Sequence, residues 1–319
     1  MGILRLATGV SLVALGLTLA ACGGGGVNST PTPSPSPPPT PAPTPAPVYE
    51  VYSSQTGAKT FKLSGIKAVQ SDLLATTPPV ATSLPYASGV AMEVDFAEGS
   101  VEATLPGGQK VVFPPESEMV TPIPGQWQLY QLQDGLGRWT YSLSVLDPEF
   151  NGVPMSYLRL ATIDWTTYEN DTSMTPTGFA GYSGVFGVAT QDGDLPTSGS
   201  ASYSAKLVAG GALRYDGGVD LNYSLDSTAS FSADFRAGTV STSLHLIGVK
   251  DAITQDLGTM TGAGTIASGG PGFAGTLGGS ANGLFSGAFF GPKGVEMGYS
   301  FYVENAGFNA SGTVVGKKN

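Results

Sequence analysis

Apolar and polar residues alternate in short runs over most of the chain beyond residue 48, the period of two that a strand with one buried face requires. The clearest run lies near the C-terminus. Met297, Tyr299, Phe301 and Val303 alternate with Glu296, Gly298, Ser300 and Tyr302. Just before it, Leu284–Phe290 sets Phe285, Gly287 and Phe289 on one face and Leu284, Ser286, Ala288 and Phe290 on the other. A turn built on Gly291, Pro292 and Gly294 joins the two. Proline is harmless there because a turn needs no ladder donor from it. The stretch reads as the closing hairpin of a small antiparallel barrel, with small residues set beside aromatic ones as a tightly curved sheet demands.

The same alternation recurs upstream at 200–207, 219–225, 231–236 and 240–246, where Val240, Thr242, Leu244 and Leu246 face one way and Ser241, Ser243 and His245 the other. Glycine pairs at Gly210-Gly211, Gly217-Gly218, Gly269-Gly270 and Gly278-Gly279 predict turns. Lys250–Asp256 reads as a short turn of helix. Earlier still, strands are predicted at Lys59–Leu63, Val90–Phe96, Val101–Leu105, Lys110–Phe113, Gln126–Gln131, Trp139–Leu146 and Tyr157–Trp165, with Ser71–Pro85 a Thr- and Pro-rich loop. Together these predict an all-β protein.

The N-terminus is of another kind. Met1–Ala21 carries Arg5 and then the apolar run Leu6–Leu19, a secretory signal too short to span a bilayer comfortably. Leu19-Ala20-Ala21-Cys22 is a bacterial lipobox, in which a thiol accepts the lipid and small residues precede the cleaved bond. Cys22 is therefore the expected lipidation site. It is the only cysteine, so no intrachain disulfide is available to the exported domain. Gly23–Pro47 is a tether. Its Thr30–Pro47 part alternates Pro with Thr, Ser and Ala, which favours polyproline II and a reach on the order of 50 Å at about 3.1 Å per residue. The expected divisions are thus a signal peptide at 1–21, lipidated Cys22 and tether at 22–47, a first β domain at 48–171 and a barrel domain at 172–319. About 270 residues beyond the tether suffice for two small β domains.

Charge narrows the partners. The formal net charge is −10, and loss of Met1–Ala21 with its one charged residue, Arg5, leaves −11. That balance argues against nucleic acid. Membrane attachment would rest on the acyl chains at Cys22. Gly23, not Asp, follows that cysteine, which permits delivery to the outer membrane.

The catalytic inventory is thin. His245 is the only histidine, no Gly-x-Ser-x-Gly elbow occurs, and a zinc site lacks clustered His or Cys. Asp192/Asp194 and Glu116/Glu118 are the nearest candidates for paired carboxylates, but they sit in Gly-, Pro- and Ser-rich loops and read as solvated charges. Asn170-Asp171 and Asp216-Gly217-Gly218 lack the ligand spacing of a calcium loop. No metal or cofactor is expected; for haem iron only His245 or a tyrosine such as Tyr223 is at hand. Trp127, Trp139 and Trp165, with Tyr130 and Tyr141, concentrate aromatics in the first region, as core or as a binding surface.

The C-terminal run also carries a family resemblance. Gly287, Phe289, Phe290, Gly291, Pro292, Glu296 and Gly298, then Gly316, Lys317 and Lys318, resemble the last strands of the transferrin-binding-protein-B-like barrel domain of Gram-negative surface lipoproteins of the Slam-dependent type. Tyr299 replaces the usual second glycine, and Val314-Val315 a more usual Val-Phe. Leu195–Ala205 is similar to that family's opening strand. The resemblance covers about residues 155–319. It implies an eight-stranded antiparallel barrel with a handle of short strands beside it, and it favours a core position for Trp165. It implies a lipoprotein of the outer membrane, facing outward, that binds an unknown protein or small-molecule ligand, with the barrel-end loops choosing it. A periplasm-facing envelope or transporter-accessory lipoprotein stays open as an alternative, as does a carbohydrate-active enzyme. A membrane-embedded barrel is disfavoured by short strands, by the absence of a terminal aromatic and by a redundant lipid anchor.

Overall fold

The computed structural model describes residues 46–70, 78–86, 88–119, 127–133, 138–168, 176–216 and 219–319. The signal peptide, Cys22, most of the tether, Asn170-Asp171 and Gly217-Gly218 lie outside them.

Twelve strands precede the barrel: β1 Ala58–Lys62, β2 Ser64–Gln70, β3 Val80–Leu84, β4 Ala91–Asp95, β5 Ser100–Thr104, β6 Lys110–Phe113, β7 Trp127–Gln133, β8 Trp139–Leu146, the short pair β9 Glu149–Phe150 and β10 Val153–Pro154, β11 Leu158–Tyr168 and β12 Pro176–Gly187. They build a four-stranded sheet, β1-β4-β5-β6, and a six-stranded sheet, β3-β2-β12-β11-β8-β7. Between these sheets lies one apolar core, with Leu63, Met92, Phe113, Leu143 and Phe186 fully buried. Two expectations change here. Val80–Leu84 is a strand, not loop, because it pairs along β2 from Gly65↔Leu84 to Val69↔Val80. Pro176–Gly187 pairs with β11 and β2, so the barrel wall starts at Ser200 rather than Thr172.

The barrel strands are β13 Ser200–Asp216, β14 Val219–Leu225, β15 Thr228–Asp234, β16 Thr239–Lys250, β17 Ile253–Ile266, β18 Gly272–Gly279, β19 Asn282–Phe290, β20 Glu296–Glu304 and β21 Phe308–Lys318. β14 and β15 lie end to end along β13, so nine strands fill eight positions of an up-and-down barrel. At the break, Asp226 N–H donates to the Ile247 carbonyl at 2.9 Å, and Ile247 N–H donates to Ser227 Oγ at 3.0 Å. These bonds take up two backbone N–H groups where the ladder is interrupted. Closure is made by β21 on β13, from Tyr203↔Lys318 to Arg214↔Phe308. The β19–β20 hairpin is thus next to last, and the closing strand is the one after it. The pair Gly210-Gly211 sits inside β13, where it meets Gly312 and Ser311, and not in a turn. Nor is Lys250–Asp256 helical: it ends β16, turns at Asp251 with positive φ, and starts β17.

The barrel is filled. Phe231, Phe273, Phe285, Phe289, Tyr299 and Phe301 pack at its centre with Leu244, Leu246 and Met260. Glycines of neighbouring strands make the room. A Cβ at Gly262, Gly264 or Gly275 would stand 2.7–3.0 Å from the Phe285 ring. The two central phenols keep partners: Tyr203 donates to the Gly294 carbonyl at 2.8 Å, and Tyr299 lies 2.6 Å from the Thr242 hydroxyl. Outward positions such as Ser202, Ser204, Lys206, Ser230, Ser232 and Ser241 are exposed. An apolar inside and a polar outside are the reverse of a barrel immersed in lipid. The strands themselves are longer than the sequence suggested, up to 17 residues in β13, so the lining and not the length carries that distinction.

The alternation on β20 has an unexpected outcome. Both faces are buried, from Glu296 to Val303. The inner face packs into the barrel; the outer face is covered by the six-stranded sheet. Leu158, Leu160 and Val185 of that sheet meet Ala288, Phe290 and Val315 of the barrel wall. Gly298 lets them lie flat, since a Cβ there would stand 2.5 Å from Leu158 Cδ1 and 2.8 Å from Val185 Cγ1. Polar pins fix the seam. Ser64 Oγ lies 3.1 Å from Ser286 Oγ, and both are within reach of the Leu84 carbonyl. Thr190 donates to the Gly291 carbonyl at 2.7 Å.

Candidate functional site

A buried interior leaves binding to the surface and to the space between layers. Two features stand out there. The first is an aromatic shelf at the edge of the handle. Trp139 and Tyr141 sit two apart on β8 and so share one face. Trp165 on β11 pairs with Tyr141 across the sheet. The Tyr141 and Trp165 rings stack at 5.8 Å with 14° between planes, and Trp139 meets Tyr141 edge-on at 5.3 Å. Gln109 donates to the Tyr141 hydroxyl at 2.6 Å, which fixes the middle ring. With Val111, Val112 and Leu132 these residues line an open groove of about 450 Å³. Trp165 is 38% exposed and Val112 52%. The expected core position for Trp165 is therefore corrected: its ring lies over Tyr141 at the open edge of the handle core. Tyr130 is core, 3% exposed.

The second feature is a cavity of about 240 Å³ where the six-stranded sheet and the barrel diverge. Along β11, Leu158, Leu160, Thr162 and Asp164 follow one another on the barrel-facing side. The first two are packed into the seam; the last two line the cavity with Trp127, the third tryptophan. Burial pushes the Asp164 carboxyl up to about 7.

The remaining candidates fall elsewhere. His245 lies on the outer wall, its side chain 41% exposed, with Nε2 3.0 Å from Asp256 Oδ1. Tyr223 is buried, 6% exposed, and packs in the barrel core. Asp194 anchors a turn: Oδ2 accepts the Tyr49 hydroxyl at 2.7 Å and Lys293 N–H at 3.0 Å. Glu118 accepts Gln128 Nε2 at 3.1 Å, and Glu116 sits in the short 3-10 turn Pro115–Ser117. Asp194 and Glu118 thus hold chain segments together. Of the described loops between barrel strands, 251–252, 280–281 and 305–307 are short hairpin turns, whereas 235–238 and 267–271, with Leu195–Thr197, line an open pocket of about 250 Å³ at one barrel end.

The architecture is a filled, water-facing eight-stranded barrel backed by a handle of two sheets. Residues 195–318 match the family of C-lobe and N-lobe beta barrels of Tf-binding protein B. That stretch is a transferrin-binding-protein-B-like barrel domain. Among solved structures, the isotype 1 transferrin-binding protein B of serogroup B Neisseria meningitidis is 16% identical, with a TM-score of 0.38 over 83% of this chain. The match spans 44% of the meningococcal chain, so this chain covers under half of that relative's length. The N-lobe domain of lactoferrin-binding protein B of Moraxella bovis is 14% identical over 83% of this chain and all of that one, with a TM-score of 0.31. A protein described as a surface lipoprotein is 13% identical over 83% of this chain and all of its own, with a TM-score of 0.34. No curated protein matches in sequence.

Proposed function

We propose that this protein is a non-catalytic lipoprotein of the outer membrane, anchored through Cys22 and facing outward, that binds a macromolecular ligand through the shelf of Trp139, Tyr141 and Trp165. The observation that carries the reading is the shelf itself. Trp165 stands 38% exposed at an open groove, stacked on Tyr141, and Tyr141, held by Gln109, and Trp139 carry that groove's wall into the edge of the handle core. Rigid Trp and Tyr surfaces give large contact area at low entropy cost and dominate binding energy where they occur. The barrel family supports the class of ligand, since relatives in it are named for binding transferrin or lactoferrin. The lipobox at Leu19–Cys22 and the Pro-rich tether support the anchor and the distance from the membrane.

Location is tested by protease shaving of intact and lysed cells, with an immunoblot for the barrel. Release from intact cells is expected. Protection until lysis would place the chain in the periplasm and sink the outward-facing reading. Binding is tested by flowing transferrin and lactoferrin over the immobilised chain, beside a Trp139→Ala/Trp165→Ala variant. Signal from either ligand that the variant loses supports the shelf; signal that it retains moves the interface elsewhere.

A further inference from the structure

The cavity between handle and barrel has a composition that the proposed surface function does not use. Small residues create it: Ala68 on β2, Gly181 on β12, Ala209 and Gly210 on β13, and Gly312 on β21. On the packed side of the same seam, leucine, valine and phenylalanine fill the equivalent space. Gly181 is needed for the arrangement, because a Cβ there would come within 2.7 Å of the Phe179 ring and 2.8 Å of Asp164 Oδ1. The floor, at Leu160, Phe301 and Gly312, is buried, while the rim at Gly210 and Ser311 is exposed. The space is thus reachable from solvent.

Asp164 is the only carboxylate among the residues that line it. It makes no hydrogen bond and no ion pair with any described residue, and Lys67, the nearest cation in sequence on β2, turns to the other face of the sheet over Tyr182. Tyr302 is the one other titratable group in the lining, and its hydroxyl is taken up within reach of the Pro79 carbonyl and Glu304 Oε2. A half-buried carboxylate without a partner, set in a mainly apolar space whose other polar groups are the hydroxyls of Thr162, Ser183, Tyr302, Ser311 and Thr313, is costly to a fold unless something answers it.

We infer that this cavity is a binding site for a small apolar amine, its ammonium group paired with the Asp164 carboxylate and its hydrocarbon body lying among Trp127, Leu160 and Phe179. A volume of about 240 Å³ is below the roughly 300–1,000 Å³ of sites for drug-sized ligands, so the occupant is of fragment size. A cation restores the ionised carboxylate that burial disfavours. Binding therefore strengthens as pH rises through about 7 and stays strong until the amine itself deprotonates.

The test is calorimetry on the purified full chain with three probes that share one body: phenethylamine, 2-phenylethanol and 3-phenylpropionate. The amine is expected to bind, and at least tenfold more tightly at pH 8 than at pH 5.5. The alcohol should bind at least tenfold more weakly at pH 8, and the acid not at all. Asp164→Asn should abolish both the preference for the amine and its pH dependence. Ala68→Phe, which fills the space but leaves the carboxylate, should block all probes. Equal binding of amine and alcohol, no binding of any probe, or full affinity in Asp164→Asn would each overturn the inference. None of these outcomes depends on which side of the membrane the chain faces.

Discussion

Glu296, at the start of β20, accepts the backbone N–H of Ser156 at 2.7 Å through Oε1. Its other oxygen accepts Tyr157 N–H at 2.9 Å and Leu158 N–H at 3.2 Å. A single side chain, 3% exposed, thus satisfies three donors at the point where the chain enters β11. Glu296→Ala leaves three N–H groups facing a seam with little water. At about 1–3 kcal/mol for each stranded donor, and with half-buried Ser156 and Tyr157 partly recovered by solvent, the loss is about 3 kcal/mol. Glu296→Gln keeps one acceptor oxygen but turns an NH₂ toward donors, so about half that loss is expected. Urea unfolding measures both; a change below about 0.5 kcal/mol for the alanine variant would mean that the seam is wet.

Close approach at Gly287 gives a sharper steric test. A Cβ there would stand 2.1 Å from the Gly298 carbonyl oxygen and 2.5 Å from Tyr299 Cβ. Backbone cannot yield that distance as a flexible side chain does, so Gly287→Ala should lower stability by more than about 2 kcal/mol. Gly211, also in a barrel strand, meets nothing nearer than 3.5 Å. Gly211→Ala is the control and should lie within about 0.5 kcal/mol of the parent. Similar midpoints for the two variants would contradict the register of β19 against β20.

What the sequence could show follows from which faces meet water. Where one face is solvated, as on β15 and β16, alternation marks inside and outside correctly, and His245 comes out on the outer wall as its neighbours Ser241 and Ser243 imply. On β20 both faces are covered, and a pattern that reads as half-polar hides a buried seam. Glu296 looked solvated by its spacing, although the family motif had already singled it out. β17 shows no alternation for the opposite reason: its inward Gly262 and Gly264 carry no hydrophobic signal because Phe285 of another strand fills their space. The same limit hid the cavity. Asp164 sits where a one-faced strand places an exposed polar residue, and only the barrel laid over that face makes it enclosed.

The shelf should separate binding from stability. Trp165 is 38% exposed and its main contact is the stacked Tyr141 ring. Trp165→Ala should therefore destabilise by only about 1 kcal/mol, the order of one aromatic pair. Phe186, fully buried between the two handle sheets, should cost about 3–5 kcal/mol on truncation to alanine. A Trp165 variant as unstable as the Phe186 variant would mark the shelf as core and remove the reason for treating it as a docking face. A ligand that uses Trp165 as an anchor should lose about 2 kcal/mol on the same substitution, roughly thirtyfold in Kd.

Asp164 makes stability depend on pH in a direction opposite to that of a paired carboxylate. Its folded-state pKa, about 7, lies above the ordinary 3.8, and desolvation is the cause. The folded chain therefore holds a proton that the unfolded chain releases. The resulting stability is fully present below about pH 4 and is lost as pH rises through about 7. At 1.36 kcal/mol per unit the ceiling is about 4 kcal/mol. Water entering from the exposed rim reduces this to roughly 1–3 kcal/mol. Asp164→Asn cannot ionise and escapes the loss. The variant should match the parent near pH 4 and exceed it by that amount at pH 8, in unfolding curves measured without ligand. Because every other carboxylate titrates alike in both chains, the difference between them isolates this one group. A difference that is flat from pH 4 to pH 8 would show the carboxylate to be solvated, and with it the cavity to be open water.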